Sequence, residues 1–186
     1  MADLTRRLAR LRVPLGFVFA VLVLWLAQPT GRTLAVGTSV AAIGELLRIW
    51  AAGHLNKSRE VTASGPYQFF AHPLYVGSSV MGVGLAIASG SVIVAALILL
   101  YLAATIGAAI SSEEAFLRSK FGDRYDRYRR GELGSGDVAA TTRPFSLSQA
   151  MANREYRAVS GLLVAVLVLC AKAVYNGAFW RAAGTH

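Results

Sequence analysis

The stretch LYVGSSVMGVGLAIASGSVIVAALILLYLAATIGAAI, residues 74–110, decides the fold of this chain, because it holds no charged residue and one short polar interruption. That interruption is Ser89-Gly90-Ser91, which leaves room only for a tight connection. An open strand edge cannot satisfy its backbone polar groups in lipid, whereas a helix satisfies them internally. The stretch therefore predicts a hairpin of two membrane helices, formed by the apolar runs at residues 74–88 and 92–110.

Three further apolar runs flank this hairpin, at residues 13–27, 34–52 and 159–174. The chain has 186 residues, of which 55% are hydrophobic and only 16% are charged, and its mean hydropathy is +0.49. Crossing the hydrocarbon core takes about 20 helical residues, so each run is a candidate span. We expect an all-α polytopic membrane protein with about five transmembrane helices. Residues 1–186 form one domain, and residues 158–176 add a carboxy-terminal transmembrane helix.

Positive charge is concentrated on one side of the membrane if the chain crosses it five times. Sixteen of the nineteen lysine and arginine residues then share a side, and the exceptions are Arg32, Lys172 and Arg181. Such an excess is typical of cytoplasmic segments. We therefore predict a cytoplasmic amino terminus, loop after the second run and segment 113–157, with the carboxyl terminus on the opposite side. The net charge of +9 then serves topology and contacts with anionic lipid headgroups rather than nucleic acid.

The amino-terminal sequence LTRRLARLR, followed by an apolar run, would also suit a secretory signal peptide. No small-residue cleavage site follows it, so we interpret the run as a membrane anchor. Cys170 is the only cysteine and cannot form an intrachain disulfide. The three histidines lack carboxylate or cysteine companions at ligand spacing, so the sequence predicts no metal site.

The loop before the hairpin, GPYQFFAHPLY at residues 65–75, is the first candidate site. Gly65-Pro66 is typical of a turn, and Pro73 suits the first position of a helix, where its missing N–H costs nothing. His72 then stands at the helix start, where unpaired backbone N–H groups favour a carboxylate or phosphate. The alternative is a membrane-interface turn with aromatic belt residues, and the residues alone leave both interpretations open.

Two pairs of ionisable residues near the ends of the apolar runs are further candidates. Glu113-Glu114 follows the fourth run, where the pair is either a helix-start feature or an acceptor for a ligand's hydroxyl and ammonium groups. Glu45 and Arg48 are three residues apart in the second run, and we interpret them as a structural ion pair. The serines and acids of SSEEAFLRSKFGDRYDRYRR, residues 111–130, suit a helix start, and the segment is predicted to continue the fourth span into the cytoplasm. The glycines of GELGSGD then end it.

The motifs SGPYQFFAHPLYVG, EEAFLRSKFGDRYDRY and TRPF, at residues 64–77, 113–128 and 142–145, together resemble a known family. It is that of the integral-membrane isoprenylcysteine carboxyl methyltransferases and their prokaryotic relatives, which also resemble phospholipid N-methyltransferases. The resemblance covers residues 53–145. It implies methyl transfer from S-adenosylmethionine, a cytoplasmic helical segment that closes the cofactor pocket, and a location in a prokaryotic inner or plasma membrane.

The family's cofactor positions carry over where the motifs match. The resemblance implies that the pocket is lined by Tyr67, His72, Pro73, Leu74, Tyr75 and Glu113, and that Tyr125, Tyr128 and Arg143 belong to the cytoplasmic cap over it. The acceptor is expected to be lipophilic and to enter from the bilayer between spans. If the acceptor is an amine it must be neutral to attack, and Glu114 or a tyrosine is then the candidate to take its proton.

The chain departs from the family where carboxyl-methylating members hold the substrate carboxylate. The arginine expected four residues before the acid pair is replaced by Ala109, and no lysine or arginine occurs from Val76 to Leu117. A carboxylate without a cation is costly to bury in a half-apolar site. The acceptor is therefore not expected to be a prenylcysteine carboxylate. Another departure is Ala71, where the family commonly has arginine.

Two alternatives come from other functional classes. Membrane sterol reductases resemble this family in their carboxy-terminal portion, and a nicotinamide nucleotide would then occupy the pocket, with Arg143 or Lys57 facing its phosphates. A non-catalytic membrane scaffold would bind neither cofactor.

Overall fold

The computed structural model describes residues 18–56, 62, 64–132 and 144–177, and within these ranges the regular structure is entirely helical. Helix α1 is described over residues 18–26. It is followed by α2 (Gly31–His54), a short 3-10 helix (Gly65–Gln68), α3 (Pro73–Ala88), α4 (Val92–Phe121), α5 (Asp123–Arg129), α6 (Leu147–Ala152) and α7 (Tyr156–Tyr175). Three of them, α2, α4 and α7, are long and apolar enough to cross a membrane, and α3 is shorter. The predicted all-α polytopic membrane fold is confirmed.

The predicted hairpin is present as α3 and α4, which are joined by Ser89, Gly90 and Ser91. Gly90 has a positive φ of 63°, and a side chain there would lie 2.2 Å from the carbonyl oxygen of Gln28. The Ser91 hydroxyl accepts a hydrogen bond from the Val94 N–H and caps α4. Local turn chemistry therefore sets the reversal between the two helices.

One expectation about Glu113-Glu114 is wrong. The pair does not begin a helix, since α4 runs without a break from Val92 to Phe121. The Ser111 hydroxyl bonds back to the carbonyl of Gly107, four residues earlier, instead of capping a new helix start. The predicted continuation beyond the membrane is this last part of α4, and α5 follows after Gly122.

Helices α2 and α3 pack with their backbones in direct contact, which glycines on both helices permit. A methyl group added at Gly44 would lie 2.4 Å from the Met81 nitrogen, and one at Gly37 would lie 2.3 Å from the Ala88 nitrogen. In membranes such small residues allow close helix association, where apolar attraction between helices is weak. At these glycines the two helices approach more closely than any larger side chain would allow.

One end of the bundle gathers the carboxyl end of α2, the start of α3 and the segment before α7. The Asn153 side chain donates hydrogen bonds to the carbonyls of Ala52 (2.8 Å) and Leu55 (2.9 Å). At the opposite end, Ala27, Leu34, Ala88, Leu169 and Ala173 form a small apolar core. The polar connections that carry the candidate site thus lie at one end.

Candidate functional site

The loop from Gly65 to His72 is folded so that it presents the start of α3. Gly65 has φ 59° and begins the 3-10 helix, with Pro66 as its second residue. His72 is the N-cap residue of α3, with Pro73 at the first helical position, and its side chain makes no capping bond. The imidazole is therefore available for contacts across to α4.

His72 lies between the two acids of α4. Its Nε2 is 3.3 Å from Oε1 of Glu114, and its Nδ1 is 3.9 Å from Oε2 of Glu113. Burial lowers the pKa of His72 below its ordinary value of 6.5, because a charged ring would lose its water; Glu113 raises this pKa and Arg129 lowers it. A neutral ring with its proton on Nε2 donates to Glu114 and leaves the Nδ1 lone pair open.

A cavity of about 640 Å³ lies next to this loop. Eight of the nine predicted cofactor residues line it, namely Tyr67, His72, Pro73, Leu74, Tyr75, Glu113, Tyr125 and Tyr128. They come from the 3-10 helix, α3, α4 and α5, so the fold brings four separate elements around one space. The ninth, Arg143, lies outside the described residues. That these side chains bind a cofactor stays a prediction.

The two neighbouring acids of α4 have different surroundings. Glu113 lines the cavity, and the Tyr75 side chain faces its carboxylate. Glu114 is not among the lining residues; besides His72 it contacts Arg129 of α5 and lies 3.9 Å from Arg118. Two arginines thus place positive charge beside the Glu114 carboxylate. Of the two adjacent acids, Glu113 therefore lines the cavity, and Glu114 contacts His72 outside its lining.

Helix α5 covers the cavity with two tyrosines. The Tyr128 hydroxyl donates to the carbonyl of Tyr67 (2.9 Å) and thereby fastens α5 to the loop. Tyr125 is 1% exposed, and the described residues offer its hydroxyl no hydrogen-bond partner. Burial raises the pKa of both side chains, so both hydroxyls are protonated, and that of Tyr125 is left without an acceptor. A buried hydroxyl without a partner is costly, and at a cavity wall a ligand or a water can supply that partner.

Arg48 of α2 also lines the cavity. Its Nε is 2.8 Å from Oε1 of Glu155 and 3.6 Å from Oε2 of Glu45, and it also contacts Ser78. The sequence indicated the pair with Glu45, but its nearer partner is 107 positions away along the chain. The i, i+3 spacing gave no signal that Arg48 belongs to a site.

Other lining residues that sequence reasoning missed include Leu55, Thr62, Ala71, Ser112, Phe116 and Leu117. Phe116 and Leu117 follow Glu113 by one helical turn and add an apolar wall, which a helical projection of α4 would have indicated. Across the described residues, histidine, cysteine and acidic side chains form no cluster of three that could hold a metal ion. The cavity therefore combines an acid, an unsatisfied hydroxyl, an ion-paired arginine and aromatic walls, and suits a polar ligand with a flat or apolar part.

Comparison with known proteins gives a family match. The family described as "Phospholipid methyltransferase" matches residues 15–124, which include the start of α3 and the Glu113-Glu114 pair. No solved structure matches the chain significantly.

Three curated proteins are similar over part of their length. The nickel-cobalt-cadmium resistance protein NccN of Alcaligenes xylosoxydans xylosoxydans is 33% identical over 57% of this chain and 49% of its own. The cobalt-zinc-cadmium resistance protein CzcN of Cupriavidus metallidurans is 34% identical over 51% of this chain and 44% of its own. The protein-S-isoprenylcysteine O-methyltransferase of Schizosaccharomyces pombe is 34% identical over 42% of this chain and 34% of its own. The matches thus span half or less of each relative.

Proposed function

The chain belongs to the phospholipid methyltransferase family, and from this premise we propose that it transfers the methyl group of S-adenosylmethionine to a lipophilic acceptor. The observation that carries the proposal is the cavity, since eight residues predicted from motifs far apart in the chain line this one space. A scaffold protein has no need of such convergence.

The residues of the cavity fit this cofactor chemically. Glu113 would accept hydrogen bonds from its ribose hydroxyls or ammonium group, and the Tyr125 hydroxyl would gain the partner it lacks. The start of α3 after Pro73 would favour the carboxylate. Once bound, S-adenosylmethionine supplies an activated methyl group on a positively charged sulfur.

The protein's own part in the reaction is alignment and exclusion of water. Displacement at a sulfonium disperses charge, so orientation and a dry site contribute more than acid catalysis. Tyr67 and Tyr128, joined by their hydrogen bond, would close the cytoplasmic face. The acceptor is then supplied from the membrane.

The reductase alternative is less well supported by the charges of the cavity. Among the described lining residues Arg48 is the one cation, and Glu155 and Glu45 already offset it. The described lining alone offers a phosphate-rich nucleotide little positive charge, and Lys57 and Arg143, which this alternative needs, lie outside the described residues. We therefore include NADPH as a comparison ligand rather than as a second proposal.

The first prediction concerns Glu113. In detergent, Glu113→Gln is expected to weaken binding of S-adenosylhomocysteine about tenfold or more, because a charged acceptor bond contributes roughly 1.5–3 kcal/mol. Isothermal titration calorimetry measures this affinity directly, and NADPH is titrated in parallel.

The matched control is Glu132→Gln, since Glu132 is exposed, pairs with Arg130 and lies outside the cavity lining. It should keep the wild-type affinity. Equal affinity in both variants, or tighter binding of NADPH than of S-adenosylhomocysteine, would contradict the proposed function.

A further inference from the structure

The segment that leads into α7 is fastened to the carboxyl end of α2 by hydrogen bonds. The Ser146 N–H donates to the carbonyl of Gly53 (3.2 Å), and the Gln149 side chain donates to the carbonyl of Leu55 (3.0 Å). The Asn153 side chain donates a further bond to the carbonyl of Leu55 (2.9 Å). The last carbonyls of a helix lack partners within it, so this segment caps α2.

A residue in the left-handed conformation, Arg154, lies between this cap and α7. Its φ of 62° makes it the one residue other than glycine with a positive φ in the described part of the chain. Such a conformation is unfavourable for a residue with a Cβ atom, and it persists where contacts on both sides fix it. Here Asn153 before it binds the end of α2, and Glu155 after it binds Arg48 of the same helix. The turn thus directs two polar side chains onto α2.

Glu155 brings a buried carboxylate to a guanidinium of the cavity wall. It is 6% exposed, and its Oε1 accepts a hydrogen bond of 2.8 Å from Nε of Arg48. Nη1 of the same guanidinium contacts the Ser78 hydroxyl and lies 3.5 Å from the carbonyl of Leu74, a residue that lines the cavity. A charged hydrogen bond at one edge of a planar guanidinium fixes the direction of its other edge. Glu155 therefore determines how Arg48 meets the first turn of α3.

A second acid, Glu45, competes with Glu155 for the same guanidinium. Its Oε2 is 3.6 Å from Nε of Arg48, and neither of its carboxylate oxygens has a hydrogen-bond partner among the described residues. The two acids are buried to the same extent, but only the bond to Glu155 is short enough to fix an orientation. Loss of the Glu155 charge would therefore leave Arg48 paired, with its side chain drawn toward Glu45.

The segment that supplies Glu155 lies outside the part of the chain that matches the family. That match ends at residue 124, before α6 and α7 begin. We propose that this segment is a component of the cofactor site, in which Glu155 positions Arg48 and, through it, the first turn of α3. The ligand is S-adenosylmethionine, or S-adenosylhomocysteine after methyl transfer, so this inference rests on the proposed function. It gives the last apolar helix of the chain a part in ligand binding.

Calorimetric titration of the full chain in detergent with S-adenosylhomocysteine tests this role. Glu155→Gln is expected to weaken binding about tenfold, within the usual range of coupling between residues of one ion-pair network. Glu45→Gln is the matched control, because it removes an equally buried charge and keeps the bond between Glu155 and Arg48; it should change the affinity about twofold or less. Equal losses in both variants, or wild-type affinity in Glu155→Gln, would overturn this inference alone. Failure of the wild type to bind would overturn the proposed function and this inference with it.

A double-mutant cycle determines whether Glu155 acts through Arg48. Arg48→Gln should also weaken binding about tenfold, and the double variant Arg48→Gln/Glu155→Gln should bind no more weakly than Arg48→Gln alone. Losses that multiply to about 100-fold would show that Glu155 acts independently of Arg48, against the inference. A purely structural role would lower the number of binding sites per molecule and leave the affinity of the folded molecules unchanged, and that result would also overturn it.

Hydrogen exchange of the wild-type chain gives a result that does not depend on a variant that folds. S-adenosylhomocysteine should slow the exchange of backbone amides at residues 149–157 as well as at residues 65–76. With the ligand at about ten times its Kd, exchange through openings that release it slows roughly tenfold. Residues 165–175, in the part of α7 far from the turn, should be unchanged and provide the internal control. Protection confined to residues 65–76 would overturn the inference.

Discussion

One side chain, Tyr125, is expected to affect the stability of the ligand-free protein and its affinity for a ligand in opposite directions. Its hydroxyl is buried without a partner among the described residues. Tyr125→Phe should therefore leave the melting temperature of the ligand-free protein unchanged or raised, since no bond is lost and an unsatisfied group is removed. Affinity for S-adenosylhomocysteine should fall about tenfold, which corresponds to roughly 1.4 kcal/mol.

Calorimetry and thermal unfolding in detergent measure the two effects separately. Tyr156→Phe, at a 44% exposed position of α7, should change neither quantity. A fall in ligand-free melting temperature with unchanged affinity would show that the Tyr125 hydroxyl serves the fold and not a ligand.

The titration of His72 gives a pH dependence of stability. Because burial lowers its pKa in the folded state, the unfolded chain binds more protons than the folded chain below pH 6.5. Stability contributed by the neutral ring is present above that pH and is lost as the pH falls toward the folded pKa. Thermal unfolding at pH 7.5 and 5.5 should show a smaller decrease for His72→Gln than for the wild type. An equal decrease in both would assign the acid sensitivity to other groups.

At the scale of helices, the seam between α2 and α3 is the contact least able to adapt. At Gly44 an added methyl group would lie 2.4 Å from a backbone nitrogen, which no side-chain rotation can relieve. Gly44→Ala should lower the melting temperature by several degrees and weaken the ligand site at the start of α3. Gly107→Ala, in α4 with nothing within 4 Å, should be neutral or slightly stabilising.

Thermal unfolding of both variants in one detergent makes this comparison. If Gly44→Ala were as stable as Gly107→Ala, the two helices would be able to separate without loss, and the start of α3 would not depend on the seam.

The helices could be predicted from features local in the sequence, whereas side-chain contacts between distant helices could not. Apolar run length and Pro73 indicate the helices and one helix start directly. The contact between Arg48 and Glu155 depends on how α2 and α7 are rotated about their axes, which spacing along the chain does not contain. The serines at 111–112 were misleading because a hydroxyl can bond four residues back within a helix as well as cap a new one.

At the scale of the whole molecule, the charge asymmetry predicts orientation. The site end of the bundle should face the cytoplasm, because the predicted topology puts the excess of lysine and arginine on that side. In a Cys170→Ser background, Glu132→Cys should react with an impermeant maleimide only in inverted membrane vesicles. The second position is Val92→Cys, which is 87% exposed at the opposite end and should react only in vesicles of the native orientation. Gly90→Cys is avoided because Gly90 has a positive φ. Labelling of both positions from the same side would contradict the predicted topology.

Most of the described cavity lining could be predicted from the sequence, because the resemblance rests on short motifs, and one of them marks the start of α3 at Pro73. The different surroundings of Glu113 and Glu114 could not be predicted from the sequence. Adjacent residues on a helix point about 100° apart, and the packing of α5 decides which of the two meets Arg129.

The brevity of α3 has a consequence for the surrounding lipid. Its 16 residues reach about 24 Å, against roughly 30 Å of hydrocarbon. If α3 crosses the membrane, lipids beside it would compress by several ångströms, at a fraction of a kcal/mol for each ångström. This hydrophobic mismatch draws headgroups toward the start of α3, so catalytic turnover should depend on acyl chain length, and thin membranes should be the ones in which the protein works best.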